Sequence, residues 1–263
     1  MPSSRGVLEL NYSAVEKGIV RFIRKVMKGS GAQGVILGLS GGIDSSVVGA
    51  LCVKALGSDR VSALLLPSDF TPIGDVEDAS ELAELWHVKA YKLNISNATD
   101  TLNSLAGMEG TKIAKANVQA RVRMILLYFF ANTLGLLVAG TGDKSEEILG
   151  FYSKWGDGGV DFLPIAHLYK TQVRALGRHL GLPQRIVEKP ASPQLWSGHT
   201  AAEELPGDYD VLDPLLYWMF DRKLPLASAA KKAGVSVGIA KTMKKMYEAS
   251  AHKRSLPPMV RPR

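Results

Sequence analysis

Apolar residues at Val15, Ile19, Phe22, Ile23 and Val26 recur at helical spacing and predict an amphipathic helix near the start of the chain. The period then changes. Val35-Ile36-Leu37-Gly38-Leu39 is apolar throughout, as expected of a short parallel strand covered on both faces. A glycine loop and a helix from about Ser45 to Leu56 follow, and Val61 to Leu66 reads as a second such strand, ended by Pro67. Asp75 to Trp86 reads as helix and Val88 to Leu93 as strand. A long helix from about Ala116 to Leu134 leads into the strand Leu136-Leu137-Val138-Ala139-Gly140. Strand and helix in turn, with connections of this length, predict a doubly wound, mostly parallel α/β sheet of Rossmann-like type.

The later part of the chain has a different character. A helix from Tyr169 to Leu180 stops at Gly181-Leu182-Pro183, a glycine cap followed by proline. Pro190 to Pro193 and Ser197 to Asp208 are rich in Pro, Gly, Ser and acidic residues and read as loop. Helices are predicted near Asp210 to Phe220 and over Pro225 to Ala249, before a basic, proline-rich tail from His252-Lys253-Arg254 to Arg263. No repeat or linker divides the chain. One domain over residues 1–263 is expected, with an α/β core at about 30–190 and a loop and helical extension at 191–263.

Composition changes this picture little. With 46% hydrophobic and 22% charged residues the 263-residue chain is of globular type, which excludes disorder over most of its length. A net charge of +7 suits any polyanion. Cys52 is the single cysteine, so an internal disulfide and a cysteine-rich metal site are excluded and a reducing, cytoplasmic setting is expected. The first residues, Met1-Pro2-Ser3-Ser4-Arg5-Gly6, have no apolar signal core. Met124 to Gly140 is free of charge but is interrupted by Asn132-Thr133 and Gly135, and reads as a buried helix running into a buried strand, not a membrane span.

Chemistry concentrates at strand ends. Ser40-Gly41-Gly42-Ile43-Asp44-Ser45-Ser46 lies between the first strand and its helix, where ligands of such sheets bind. Glycines let a backbone approach phosphate, free amides at a helix start point at the anion, and Ser40, Ser45 and Ser46 add hydroxyls. A bare Gly-Gly would read as a tight turn with Asp44 or Ser45 capping the helix. Six clustered small or polar residues favour phosphate instead. Asp44 would repel phosphate unless a cation lay between them, which points to magnesium. No Gly-Lys-Ser or Gly-Lys-Thr occurs, and no Gly-x-Gly-x-x-Gly turn follows this strand, so the usual kinase and dehydrogenase loops are excluded.

Leu39-Ser40-Gly41-Gly42-Ile43-Asp44-Ser45 resembles the SGGxDS loop of the ATP pyrophosphatases, enzymes of the adenine nucleotide alpha hydrolase fold that cleave ATP between the α and β phosphates. That group includes GMP synthetase, asparagine synthetase, tRNA thiolation enzymes and NAD synthetase. Further blocks select among them: Asn117-Val118-Gln119-Ala120-Arg121-Val122-Arg123, where Asn117 and Arg121 share a helix face; Gly140-Thr141-Gly142-Asp143-Lys144-Ser145-Glu146 after the fourth strand; Tyr152-Ser153-Lys154-Trp155-Gly156-Asp157-Gly158-Gly159-Val160-Asp161-Phe162-Leu163-Pro164-Ile165; and Leu168-Tyr169-Lys170-Thr171-Gln172-Val173-Arg174. Together these are similar to the ammonia-dependent NAD synthetase family from about Val35 to Ser192, and again at His252-Lys253-Arg254.

The resemblance implies a ligase that amidates deamido-NAD (nicotinic acid adenine dinucleotide) with ammonia at the expense of ATP. It implies that Gly38, Leu39, Ser40, Gly41, Gly42, Ile43, Asp44 and Ser45 form the ATP loop, joined by Thr141, Lys170 and Ser192. Asp44 and Glu146 would bind Mg2+. Arg121, Lys154, Asp161, His252 and Lys253 would contact deamido-NAD, with Asp44, Lys170 and Asp161 as the catalytic set. A homodimer is implied, with no nucleic acid or membrane partner. Two segments depart from the family: Asp143 stands where relatives often carry Asn, and Leu205-Pro206-Gly207-Asp208-Tyr209 differs from the expected pattern.

The residues themselves leave two rivals. A tRNA-modifying pyrophosphatase would fit the loop and the charge, although thiolation usually enlists several cysteines. A nucleotide sensor of universal-stress type would bind ATP without cleaving it, and the acidic pair Asp44 and Glu146 counts against it. Cys52, among apolar neighbours, reads as a packed thiol and not a glutaminase nucleophile. His87, His167, His179, His199 and His252 lack metal-site spacing and each reads as surface or capping.

Overall fold

The structure, a computed structural model, describes residues 4–260. Met1-Pro2-Ser3 of the leader reading and Arg261-Pro262-Arg263 of the tail lie outside the described residues. Strands β1 (Gly34–Gly38), β2 (Val61–Leu65), β3 (Lys89–Lys92) and β4 (Leu136–Val138) form one sheet in the order β3-β2-β1-β4. All three pairings are parallel, with Ile36 opposite Ser62 on one side and Val138 on the other. The chain therefore steps outward from β1 to β3 and returns to β1's other edge. That reversal opens a crevice at the carboxyl ends of β1 and β4.

Helices α1 (Tyr12–Ser30), α2 (Ile43–Leu56), α3 (Ile73–Leu85), α4 (Ser96–Leu105) and α5 (Lys112–Leu134) lie between or before the strands. After β4 come α6 (Lys144–Leu149), α7 (Lys170–His179), α8 (Gln184–Val187), α9 (Tyr209–Leu216), α10 (Leu226–Ala233) and α11 (Val237–Ala249). Asn11 and Thr111 accept amide hydrogens at the starts of α1 and α5, and left-handed Gly31 and Gly135 end those helices. Alternate strand residues serve opposite layers. Val35 and Leu37 pack with Ile19, Ile23, Val47, Leu51 and Leu176 of α1, α2 and α7, whereas Ile36, Leu64 and Val138 meet Val122 and Ala131 of α5. A further apolar cluster, around Leu212, Leu215, Ala230 and Met243, unites α9, α10 and α11 with Ile148 and Leu149 of α6.

Several predicted elements change shape. The helix expected over Pro225 to Ala249 is two helices, because Gly234 adopts φ 73° and caps α10. The one expected to Phe220 ends at Leu216 and continues as a π-helical turn, Tyr217–Asp221. Helix α4 had no strong apolar period to announce it; Thr99 is its buried residue. The uncharged stretch from Met124 does run through α5 into β4, but the helix is not wholly buried. Ile125 and Phe129 are 55% and 63% exposed. Among the described residues no helix is long and apolar enough to cross a membrane.

Candidate active site

The loop after β1 is built from its own side chains. Ser45 Oγ accepts the Ser40 amide at 3.2 Å and donates to the Gly42 carbonyl at 3.1 Å, while Ser46 Oγ donates to the same carbonyl at 2.7 Å. Gly41 has φ +76°, and a Cβ there would fall 2.2 Å from the Asp75 carbonyl oxygen. Only glycine meets both conditions. Lys189, which also lines the crevice, braces the turn, donating to the Gly41 carbonyl at 3.0 Å and to Asp75 and Asp78 at 2.5 and 2.6 Å. The loop thus opens toward the crevice at the start of α2.

A buried charge cluster faces it. Lys170, in the first turn of α7 and 2% exposed, places Nζ 2.7 Å from Asp44, 2.8 Å from Glu146 and 2.9 Å from Asp143. Asp143 N-caps α6 in a reciprocal capping box with Glu146. Burial would lower the Lys170 pKa, but Asp143, Asp44 and Glu146 outweigh it and hold the ammonium well above the ordinary lysine value. Burial, and then the charge of Asp143, raises Glu146 well above the usual carboxylate range despite Lys170. Burial likewise raises Asp143, against the pull of Lys170.

Three carboxylates around one ammonium leave the cluster short of positive charge. Oxygens of Asp44, Asp143 and Glu146 lie within 4.8 Å of one another, and Asp44 Oδ1 is buried with no hydrogen-bond partner. An all-oxygen set with an unpaired carboxylate oxygen fits a hard divalent cation. The sequence singled out Asp44 and Glu146 for this role. Asp143, noted there only as a departure, joins them through the capping box.

Asp44, Glu146 and Lys170 of the cluster line one cavity of about 440 Å³ with the loop, and Asp143 lies buried behind them. Gly38, Leu39, Ser40, Gly42, Ile43, Asp44, Thr141, Glu146, Lys170, Ser192 and Lys253 contribute to its wall; Gly41 and Ser45 shape the loop from behind. Lys253 donates to the Gly150 and Tyr152 carbonyls at 2.6 Å, and burial lowers its pKa. Arg121, Lys154, Asp161 and His252 lie outside this wall. Three of them are linked: Arg121 donates to the Lys154 carbonyl at 3.2 Å, and Lys154 to the His252 carbonyl at 2.5 Å. Asp161 stands apart at the edge of β4, accepting the Val138 amide at 2.7 Å and the Tyr128 hydroxyl at 3.0 Å.

Some site residues were missed. Asn117, Ala120, Arg123 and Met124 present the cavity face of α5, so Arg123, which donates Nε to the Leu66 carbonyl at 3.1 Å, is the arginine inside. Arg121, two residues earlier, is exposed. Helical phase is the signal that separates them, since residues two apart on a helix point to nearly opposite faces. His199, expected as a surface or capping residue, is 3% exposed, stacks on Trp196 with centroids 3.3 Å apart and pairs with Glu204 at 2.5 Å. Asp213 is wholly buried and was passed over.

A parallel sheet with a serine–glycine loop and a lysine–carboxylate cluster at its switch point defines a nucleotide-site α/β protein. A family model described as NAD synthase matches residues 15–257, and the chain belongs to that family. It is 46% identical to an NH(3)-dependent NAD(+) synthetase of Hyperthermus butylicus over 257 residues, 97% of this chain and 93% of that one. An NMN synthetase structure from Francisella tularensis superposes with TM-score 0.85 at 31% identity, covering 96% of this chain and 99% of the other. An NH3-dependent NAD synthetase from Campylobacter jejuni, in complex with nitrate, gives TM-score 0.82 at 27% identity, covering 96% and 100%.

Proposed function

We infer that the protein joins ammonia to the nicotinate carboxylate of deamido-NAD, giving NAD, AMP and pyrophosphate through an adenylate, the last step of NAD biosynthesis. One observation supports this most: Lys170 and the Asp44 carboxylate meet at the mouth of the Ser40–Ser45 loop, in a chain related along nearly all its length to NAD synthetases.

A carboxylate oxygen is a poor leaving group, so it must be activated. It attacks the α-phosphorus of ATP; the bond to the bridging oxygen breaks and pyrophosphate departs. Negative charge grows on that leaving group. The loop amides, the hydroxyl of Ser40 and the Lys170 ammonium stand where they stabilise it. Asp44 and Glu146, with Asp143 beside them, would hold Mg2+, which when bound neutralises phosphate charge. Ammonia then adds to the acyl carbon and AMP leaves. Asp161, fixed by Tyr128 and the Val138 amide, is the carboxylate assigned to the nicotinate end. Cys52 is fully buried and its thiol is pushed up to about 12, so it does not serve as a glutamine-cleaving nucleophile; ammonia, free or supplied by a partner enzyme, is the nitrogen donor.

The dinucleotide residues also support a homodimer. On α5, Arg121, Ile125 and Phe129 follow at intervals of one turn, all exposed. A second copy seated on Ile125 and Phe129 would bring Arg121 to the edge of the interface.

The test is to supply ATP, Mg2+ and ammonium with either deamido-NAD or nicotinate mononucleotide, and to measure amide product and AMP. NAD and AMP formed one for one supports the reading. Amidation of the mononucleotide alone would move the activity to NMN synthesis, that of the Francisella neighbour. AMP without either amide would return the tRNA-modifying rival, and ATP binding without AMP the sensor.

A further inference from the structure

Asp213 belongs to the helical extension, on α9, yet its bonds leave it. Oδ1 accepts the Ser145 hydroxyl at 2.7 Å, and Oδ2 accepts the Thr171 amide at 2.8 Å. Ser145 Oγ in turn accepts the Lys170 amide at 3.0 Å. These are first-turn amides of α7, which have no partner within their own helix. One carboxylate therefore ties the first turn of α6, which carries Glu146, to the first turn of α7, which carries Lys170. Asp213 and Ser145 are both wholly buried.

Packing alone does not account for an aspartate here. Leu212, Leu215 and Leu216 on the same helix are completely buried. A fourth apolar residue would serve that cluster, whereas a carboxylate without partners costs stability. Its partners are the two turns that aim the charge cluster. Lys170 makes its three ion pairs within 2.7–2.9 Å from the residue whose own amide is held by Ser145.

We propose that Asp213 is a positioning residue for the adenylation step, acting through Ser145 and the Thr171 amide to hold Lys170 and Glu146 in register. This role rests on the function proposed above. Asp213 touches no reacting atom. Geometry is what it supplies, so asparagine, which keeps an acceptor and the shape, should replace it.

Ser145→Ala, Asp213→Leu and Asp213→Asn decide the matter, with NAD formation, KM for ATP and thermal midpoint measured for each beside wild type. Expected is a kcat lower by roughly 10–100-fold in Ser145→Ala and Asp213→Leu, with KM for ATP little changed. Asp213→Asn should restore most of kcat. The Ser145→Ala/Asp213→Leu double variant should fall no further than the worse single one. If Asp213→Leu does not fold, Ser145→Ala and Asp213→Asn carry the test. An undiminished kcat in Ser145→Ala, or a fall that follows only the loss of folded protein, overturns the proposal. A folded wild-type protein that makes no NAD overturns the functional reading and this role with it.

Discussion

Lys170 Nζ lies 2.7 Å from Asp44 Oδ2, although 126 positions separate the two residues. The sheet brings them together: Asp44 starts the helix after β1, and Lys170 starts α7, which packs on that helix. Replacing Lys170 by methionine should leave three crowded carboxylates and lower kcat by about 10²–10³-fold. It should also lower the thermal midpoint, because carboxylates lose their buried partner. Added Mg2+ should then raise the midpoint more in Lys170→Met than in wild type, since a cation relieves the same repulsion. Thermal scans with and without Mg2+ check this; an equal response in both proteins would contradict it.

Gly41 is constrained twice, by φ +76° and by the Asp75 carbonyl 2.2 Å from where a Cβ would stand. Gly41→Ala should push the loop away from Asp75 and spoil phosphate binding, raising the dissociation constant for ATP at least tenfold. The strain should cost about 1–3 kcal/mol of stability. Calorimetric titration of ATP into a folded Gly41→Ala protein measures it, and wild-type affinity would refute the loop geometry.

The Asp213 carboxyl is pushed up to about 7 by burial, while Ser145 and the Thr171 amide pull the other way. For a carboxyl raised in the folded state, the stabilising contribution is complete below its unfolded value near 3.8 and is lost as pH rises through about 7. Asp213→Asn cannot ionise. Its stability relative to wild type should therefore grow between pH 4 and 7, by up to about 4 kcal/mol for the net rise from 3.8 to about 7. Urea midpoints of both proteins across that range should diverge; parallel curves would show that Asp213 titrates normally.

Ile125 and Phe129 are exposed one turn apart on α5. Ile125→Asp together with Phe129→Asp should turn a dimer into monomers in sedimentation velocity, with little loss of thermal stability in the monomer. A wild-type protein that sediments as a monomer would remove the proposed interface.

The sheet was legible because a strand buried on both faces is apolar at successive positions, as at Val35–Leu37 and Ala63–Leu65. The loop was legible because its chemistry is local: Ser40 to Ser46 bond to one another. What escaped depends on distant partners. Asp143 is set beside Glu146 by a local capping box, but its ion pair waits on Lys170 from another helix, and Asp213 sits in a stretch whose pattern is that of any amphipathic helix. Arg123 and Arg121 differ by about 200° around α5, so one enters the cavity wall while the other faces outward, and only the packing of the helix shows which. Gly234 did carry a signal, an isolated glycine in a helical run, and the split it causes was readable.

The central claim is that the nicotinate carboxylate attacks the α-phosphorus while pyrophosphate leaves in the Ser40–Ser45 loop. Deamido-NAD labelled with oxygen-18 in that carboxylate tests it most directly, with mass analysis of the nucleotide and phosphate products. One labelled oxygen in the AMP phosphate and none in pyrophosphate is the expected result. Label in inorganic phosphate, with ADP as the nucleotide product, would mean attack at the γ-phosphorus and would contradict the role given to the loop.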